Sequence, residues 1–120
     1  MSLRRRIDSF GYAFKGLVFL FKTQANARIH LLATLVVLVA GWYFEVSRVE
    51  WLILLLFIVL VIAMEAVNTA LEQLTDLVSP EWHPLAGRAK DLAAAAVFVL
   101  AIGAIFAAFI IFGPKISACF

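Results

Sequence analysis

The run WLILLLFIVLVIAM, Trp51 to Met64, carries no charge, and EAVNTALEQLTD, Glu65 to Asp76, follows it without a break. That junction constrains the fold more than any other feature. An uncharged run of this kind is too oily for a soluble surface. In lipid its backbone polar groups must all be paired internally, which leaves a helix or a closed barrel. The following polar stretch keeps helical spacing, so one helix crosses the apolar layer and continues out of it.

Composition supports the same class. Hydrophobic residues make up 65% of the 120 and charged residues 15%, whereas soluble domains hold about half and about a quarter. The chain reads as one integral membrane domain, too small to enclose a large site alone, which favours an oligomer. Its single cysteine, Cys119, supports neither a disulfide framework nor a zinc site and reads as a tolerated tail residue.

Three spans emerge. Ile29 to Phe44 is apolar apart from His30 and Thr34. At 1.5 Å per residue it measures roughly 24 Å, short for a hydrocarbon layer of about 30 Å. EVSRVE, Glu45 to Glu50, reads as a plain solvated turn. A second helix over 49–77 is apolar to Met64 and polar beyond. Two prolines bracket a loop over 78–86. A third helix covers 87–113, with Gly113-Pro114 expected to stop it. No repeat, linker or low-complexity segment interrupts this plan.

The N-terminal segment, 1–26, opens with Arg4-Arg5-Arg6, but Asp8, Lys15 and Lys22 interrupt any signal-peptide core and no small-residue cleavage site follows. At 100° per residue, Ile7, Phe10, Phe14, Leu17, Val18 and Phe21 share one face while Asp8, Lys15 and Lys22 share another. The expectation is an amphipathic helix with a basic side, lying on an anionic membrane surface and packing against the spans. Arg4, Arg5, Arg6, Lys15, Lys22, Arg28, Arg88 and Lys90 fall on one side of the membrane and Arg48 and Lys115 on the other, so the N-terminus is expected in the cytoplasm. The net charge of +2 is then topology and lipid contact. No basic stripe with stacking aromatics points to nucleic acid.

Glu65, Asn68, Glu72 and Asp76, at i, i+3, i+7 and i+11, fall on one narrow helical stripe. A carboxylate in lipid costs at least a few kcal/mol, so the stripe faces protein or water. Its mutual repulsion calls for a cation or basic neighbours, and Arg88 and Lys90, opening the third helix, are candidates. Ala93 to Ala96 just beyond allow close helix approach. Three readings fit this spacing: an ion or proton path, a catalytic site with one carboxylate as base and others on Mg²⁺, or a structural polar network. There is no GxxxxGK[ST] loop and no HRD or DFG signature.

A resemblance discriminates among them. EAVNTALE from Glu65 to Glu72, then Asp76, then SPEWHPLAG from Ser79 to Gly87, then AKDLAAAAV from Ala89 to Val97, resemble the prokaryotic diacylglycerol kinase family, which includes the undecaprenol kinases. The likeness runs from Gly11 to Pro114, and its ExxNxxxE…AKD combination is specific. RIHL, from Arg28 to Leu31, and the Ser79-Pro80 loop look more like the undecaprenol kinase branch. The resemblance implies an all-α homotrimer of three-span subunits with an N-terminal surface helix in the bacterial cytoplasmic membrane. It implies transfer of the γ-phosphate of Mg-ATP to a lipid hydroxyl.

Residue by residue, Glu65 matches the general base and Glu72 a metal-binding carboxylate. Asn68 matches a residue supporting that centre, Lys90 a phosphate-binding lysine and Asp91 its neighbour. Tyr12, Glu81 and His83 match positions lining the nucleotide pocket, and Arg5 a basic residue reaching the phosphates. Gln24 stands where the family usually has a glutamate as second metal ligand, offering a carbonyl oxygen without charge. His30 reads as a satisfied interfacial histidine. The competing class is a small oligomeric ion or proton conductor, for which the Glu81-Trp82-His83 loop and Lys90-Asp91 have no use.

Overall fold

The computed structural model describes residues 2–120, all of whose regular structure is helical. Helix α1 spans Leu3–Thr23, α2 Ala25–Tyr43, α3 Arg48–Val78 and α4 Pro84–Ser117. The last three are long and apolar enough to cross a membrane. No strand occurs among the described residues.

Local chemistry sets each boundary. Ser2 caps α1 by accepting the Arg5 backbone N–H at 3.3 Å. Gln24, in extended conformation, separates α1 from α2. Arg28 fixes that corner: its Nη1 donates to the Phe21 and Lys22 carbonyls at 3.0 and 2.9 Å, satisfying acceptors that the end of α1 leaves open. Ser47 and Glu50 form a reciprocal capping box at the start of α3, at 2.9 and 3.1 Å. Before α4, His83 Nδ1 accepts the Leu85 N–H at 3.1 Å, and Pro84 occupies the first turn, where its missing N–H leaves no intrahelical bond unmade.

Two expectations are corrected. Gly113-Pro114 does not end the third span, because α4 continues to Ser117 with Pro114 inside it. So close to the helix end, the missing proline N–H forfeits one bond, and the next turn still closes, with the Ala118 N–H on the Pro114 carbonyl at 3.1 Å. Nor is Glu45 to Glu50 a plain solvated turn. Besides its capping bond, Glu50 accepts from Lys115 Nζ at 3.1 and 3.3 Å, tying the start of α3 to the far end of α4.

The most extensive packing is between α3 and α4. At the end of the bundle that holds the α2–α3 turn, Val46, Leu54, Ile111 and Phe112 form the core, with Trp51 and Phe44 against them. There α2 and α3 approach so closely that a Cβ on Gly41 would stand 2.5 Å from the Trp51 ring. The opposite end is held by Leu20, Ala27, Ala93 and Val97. The molecule measures 55 × 43 × 22 Å with a radius of gyration of 17.8 Å, whereas a compact domain of this length has roughly 14 Å. Leucines and valines stay exposed along all three spans, and phenylalanines along α4. Water tolerates no such surface, so lipid or further copies must cover it.

Candidate active site

Where its apolar part ends, α3 turns Glu65 and Thr69 into the protein, 3% and 5% exposed, the two buried polar residues among those described. A buried carboxylate needs a partner. His30 of α2 supplies it: Nε2 lies 3.2 Å from Glu65 Oε1. One turn on, Asn68 Nδ2 donates to Glu72 Oε1 at 3.4 Å, the helical i, i+4 relation. Asn68 Oδ1 and Thr69 Oγ1 are buried without a hydrogen-bond partner among the described residues. Native proteins rarely leave such atoms unpaired, and those that remain favour a ligand, ion or water.

Glu65, His30 and Asn68 line a cleft of about 510 Å³. One wall is polar, made by Asn26, His30, Glu65 and Asn68. The other, from α4, is apolar: Ala94, Ala95, Val97, Phe98 and Ala101. His30 also borders a narrow apolar groove that runs along α2, α3 and α4 past Val37, Leu54, Phe57 and Ala108. Polar chemistry therefore adjoins a path suited to hydrocarbon.

A second cluster forms where α3 gives way to α4. Asp76 pairs with Lys90 Nζ across the two helices. Around them, Ser79, Glu81, Trp82 and His83 enclose a hollow of about 210 Å³. Ser79 Oγ donates to the Glu81 carbonyl at 3.0 Å and shapes the loop, while the capping bond of His83 Nδ1 leaves its Nε2 as the ring nitrogen open to a ligand. Eleven residues separate Glu65 from Asp76, about 16 Å along a helix axis.

The expected residues thus divide. Glu65, Asn68 and Glu72 come together in the first cluster, and Glu81, His83 and Lys90 in the second. Asp91 is exposed on the first turns of α4. Arg5 and Tyr12 lie exposed on α1, with Lys15 Nζ 5.9 Å from the Tyr12 ring centre. Gln24 takes the α1–α2 corner, its amide donating to Thr23 Oγ1 at 3.3 Å. No group of three or more His, Cys, Asp or Glu suited to a metal forms among the described residues. His30, read from the sequence as a satisfied interfacial histidine, is the partner of the buried Glu65. The available signal was topological: consecutive antiparallel spans bring the start of one beside the end of the next, and a buried Glu65 requires a donor there.

The fold defines a multi-pass membrane protein, with two polar clusters toward one end of its bundle. The family model "Prokaryotic diacylglycerol kinase" matches residues 11–112. Undecaprenol kinase of Bacillus subtilis (strain 168) is 39% identical over 114 residues, covering 95% of this chain and 93% of that protein. Diacylglycerol kinase of Escherichia coli (strain K12) is 34% identical over 101 residues, 84% of this chain and 83% of that one. Diacylglycerol kinase of a Synechocystis species is 41% identical over 98 residues, 81% of this chain and 56% of that protein. The chain belongs to the prokaryotic diacylglycerol kinase family and is a bacterial membrane lipid kinase. None of these relatives is named as an ion conductor.

Proposed function

We propose that the protein transfers the γ-phosphate of ATP to the primary hydroxyl of a membrane lipid, diacylglycerol or undecaprenol, at the cytoplasmic interface. The observation that carries this reading is Glu65, a carboxylate buried where the apolar part of α3 ends, in a cleft polar on one wall and apolar on the other. A lipid hydroxyl is a weak nucleophile. In this cleft its tail lies against Ala94, Phe98 and Ala101 while its oxygen meets Glu65, which takes the proton as the oxygen bonds to the γ-phosphorus and the bond to the β–γ bridging oxygen breaks, releasing ADP. Shielding from water favours transfer to the alcohol over hydrolysis.

A transferring phosphoryl group needs compensating charge and alignment more than covalent help. Lys90 supplies a cation within reach of phosphate. Its pair with Asp76 is partly exposed and therefore weak enough to exchange for a phosphate oxygen. The hollow formed by Ser79, Glu81 and His83 holds the nucleotide, whose phosphates then extend along α3 toward Glu72 and Asn68.

Magnesium fits the donors present. Glu72 and the unpartnered Asn68 Oδ1 are oxygen donors on adjacent turns, and Mg²⁺ is commonly held by one or two protein oxygens with substrate phosphates and water. When bound, the ion neutralises charge on the phosphate oxygens. Gln24 adds at most a neutral carbonyl oxygen where the family usually has a carboxylate.

The broad exposed faces of α2, α3 and α4 and the separation of the two clusters support a homotrimer with sites completed between subunits. Arg5, Tyr12 and Asp91 then contribute across that interface. The same exposure supports α1 lying on the cytoplasmic surface, its apolar residues in the headgroup layer. The test is phosphate transfer from γ-labelled ATP by detergent-purified protein, offering diacylglycerol and undecaprenol side by side. One labelled lipid phosphate identifies the acceptor. No product from either lipid overturns the reading.

A further inference from the structure

We infer that His30 is a positioning residue for catalysis: its ring holds one oxygen of the Glu65 carboxylate and leaves the other for the substrate hydroxyl. The inference rests on Glu65 being the base. Its own support is geometric. Glu65 is 3% exposed, and its closest ionisable partner is His30, with Nε2 3.2 Å from Oε1. Asn68, one turn away, is engaged with Glu72 instead. Among the described residues, then, His30 alone braces the base, and it does so from a different helix.

The ring is suited to that task. His30 lies one turn into α2, where its backbone carbonyl accepts the Thr34 hydroxyl at 2.8 Å. Its side chain is 24% exposed and borders both the cleft and the apolar groove. Nε2, in contact with Oε1 at 3.2 Å, sets where that oxygen sits. A flexible glutamate is thereby limited to few rotamers, and the reacting oxygen is held where the hydroxyl arrives. A contact made only for packing would be served as well by an apolar pair, because burying a charge and its partner seldom gains stability over hydrocarbon. Keeping a carboxylate and a histidine in contact where an apolar span ends points to chemistry.

Four proteins separate the possibilities: His30→Leu, His30→Gln, Glu65→Gln and the Glu65→Gln/His30→Leu double variant. Each is assayed for kcat and for KM toward ATP and lipid, with trimer assembly and thermal midpoint measured beside them. Loss of alignment at a general base is expected to lower kcat roughly 10- to 100-fold in His30→Leu, within the range such a base supplies, while both KM values stay within about twofold. Glutamine keeps a polar donor at a similar reach, so His30→Gln should recover most of the rate. In the Glu65→Gln background, His30→Leu should cost nothing further, because a residue acting through Glu65 has nothing left to position.

Unchanged kcat in His30→Leu, equal losses in the Leu and Gln variants, or additive losses in the double variant would each overturn the inference while Glu65 remains the base. Wild-type kcat in Glu65→Gln would instead overturn the reading beneath it. Should His30→Leu fail to assemble, His30→Gln decides: near wild-type rate upholds the inference, and a loss as deep as that of Glu65→Gln refutes it.

Discussion

Replacing Asp76 by asparagine removes the partner that holds Lys90 in the absence of nucleotide. The side chains of this pair are 39% and 64% exposed, and exposed pairs contribute about 0–1 kcal/mol. Folding should therefore hardly register Asp76→Asn. ATP binding should, because phosphate no longer displaces a carboxylate from Lys90. A gain of up to about 1 kcal/mol corresponds to a KM for ATP lowered by up to roughly fivefold, with kcat unchanged. Lys90→Met tests the same contact from the other side. A charged hydrogen bond to phosphate is worth roughly 1.5–3 kcal/mol, so kcat/KM for ATP should fall about 10- to 150-fold. Steady-state kinetics at saturating lipid, with the thermal midpoint as control, gives both numbers. A raised KM for ATP in Asp76→Asn would refute the reasoning, since Asp76 would then serve the nucleotide rather than compete with it. So would an unaltered kcat/KM in Lys90→Met.

Three further outcomes follow from the geometry. Gly41→Ala should destabilise the bundle by about 1–3 kcal/mol through overpacking against Trp51, read as a lowered thermal midpoint in detergent that Trp51→Leu in the same chain partly restores. Glu50→Gln and Lys115→Met should each lower the midpoint, and the double variant should fall short of their sum, because the two residues form one contact. Gln24→Glu should lower the Mg²⁺ concentration for half-maximal activity and tighten Mn²⁺ binding measured by electron paramagnetic resonance. An unchanged metal requirement would place position 24 outside the metal site.

The three spans were legible because apolar runs of this length admit few structures in lipid. The stripe from Glu65 to Asp76 was legible because burying carboxylates is costly and helical spacing places all four residues on one face. What the sequence hid were partners on other helices, His30 for Glu65 and Lys115 for Glu50, whereas Lys90 was already a candidate partner for the acidic stripe and pairs with its Asp76. Spacing within a helix says which residues share a face. It does not encode the axial register between helices, and that register decides these contacts. Pro114 misled for a related reason, since a missing N–H stops a helix only where later turns gain too little to continue. Glu50 misled because a polar hexapeptide between spans looks the same whether its carboxylate meets water or a lysine at the far end of α4.

The most direct test of the central claim is single-turnover phosphate transfer by Glu65→Gln under saturating Mg-ATP and lipid. Glutamine keeps the size of the side chain and removes the base. The account predicts a transfer rate reduced about 10²- to 10⁴-fold, with ATP binding and trimer assembly retained. Transfer at the wild-type rate would contradict it and move the base to another residue.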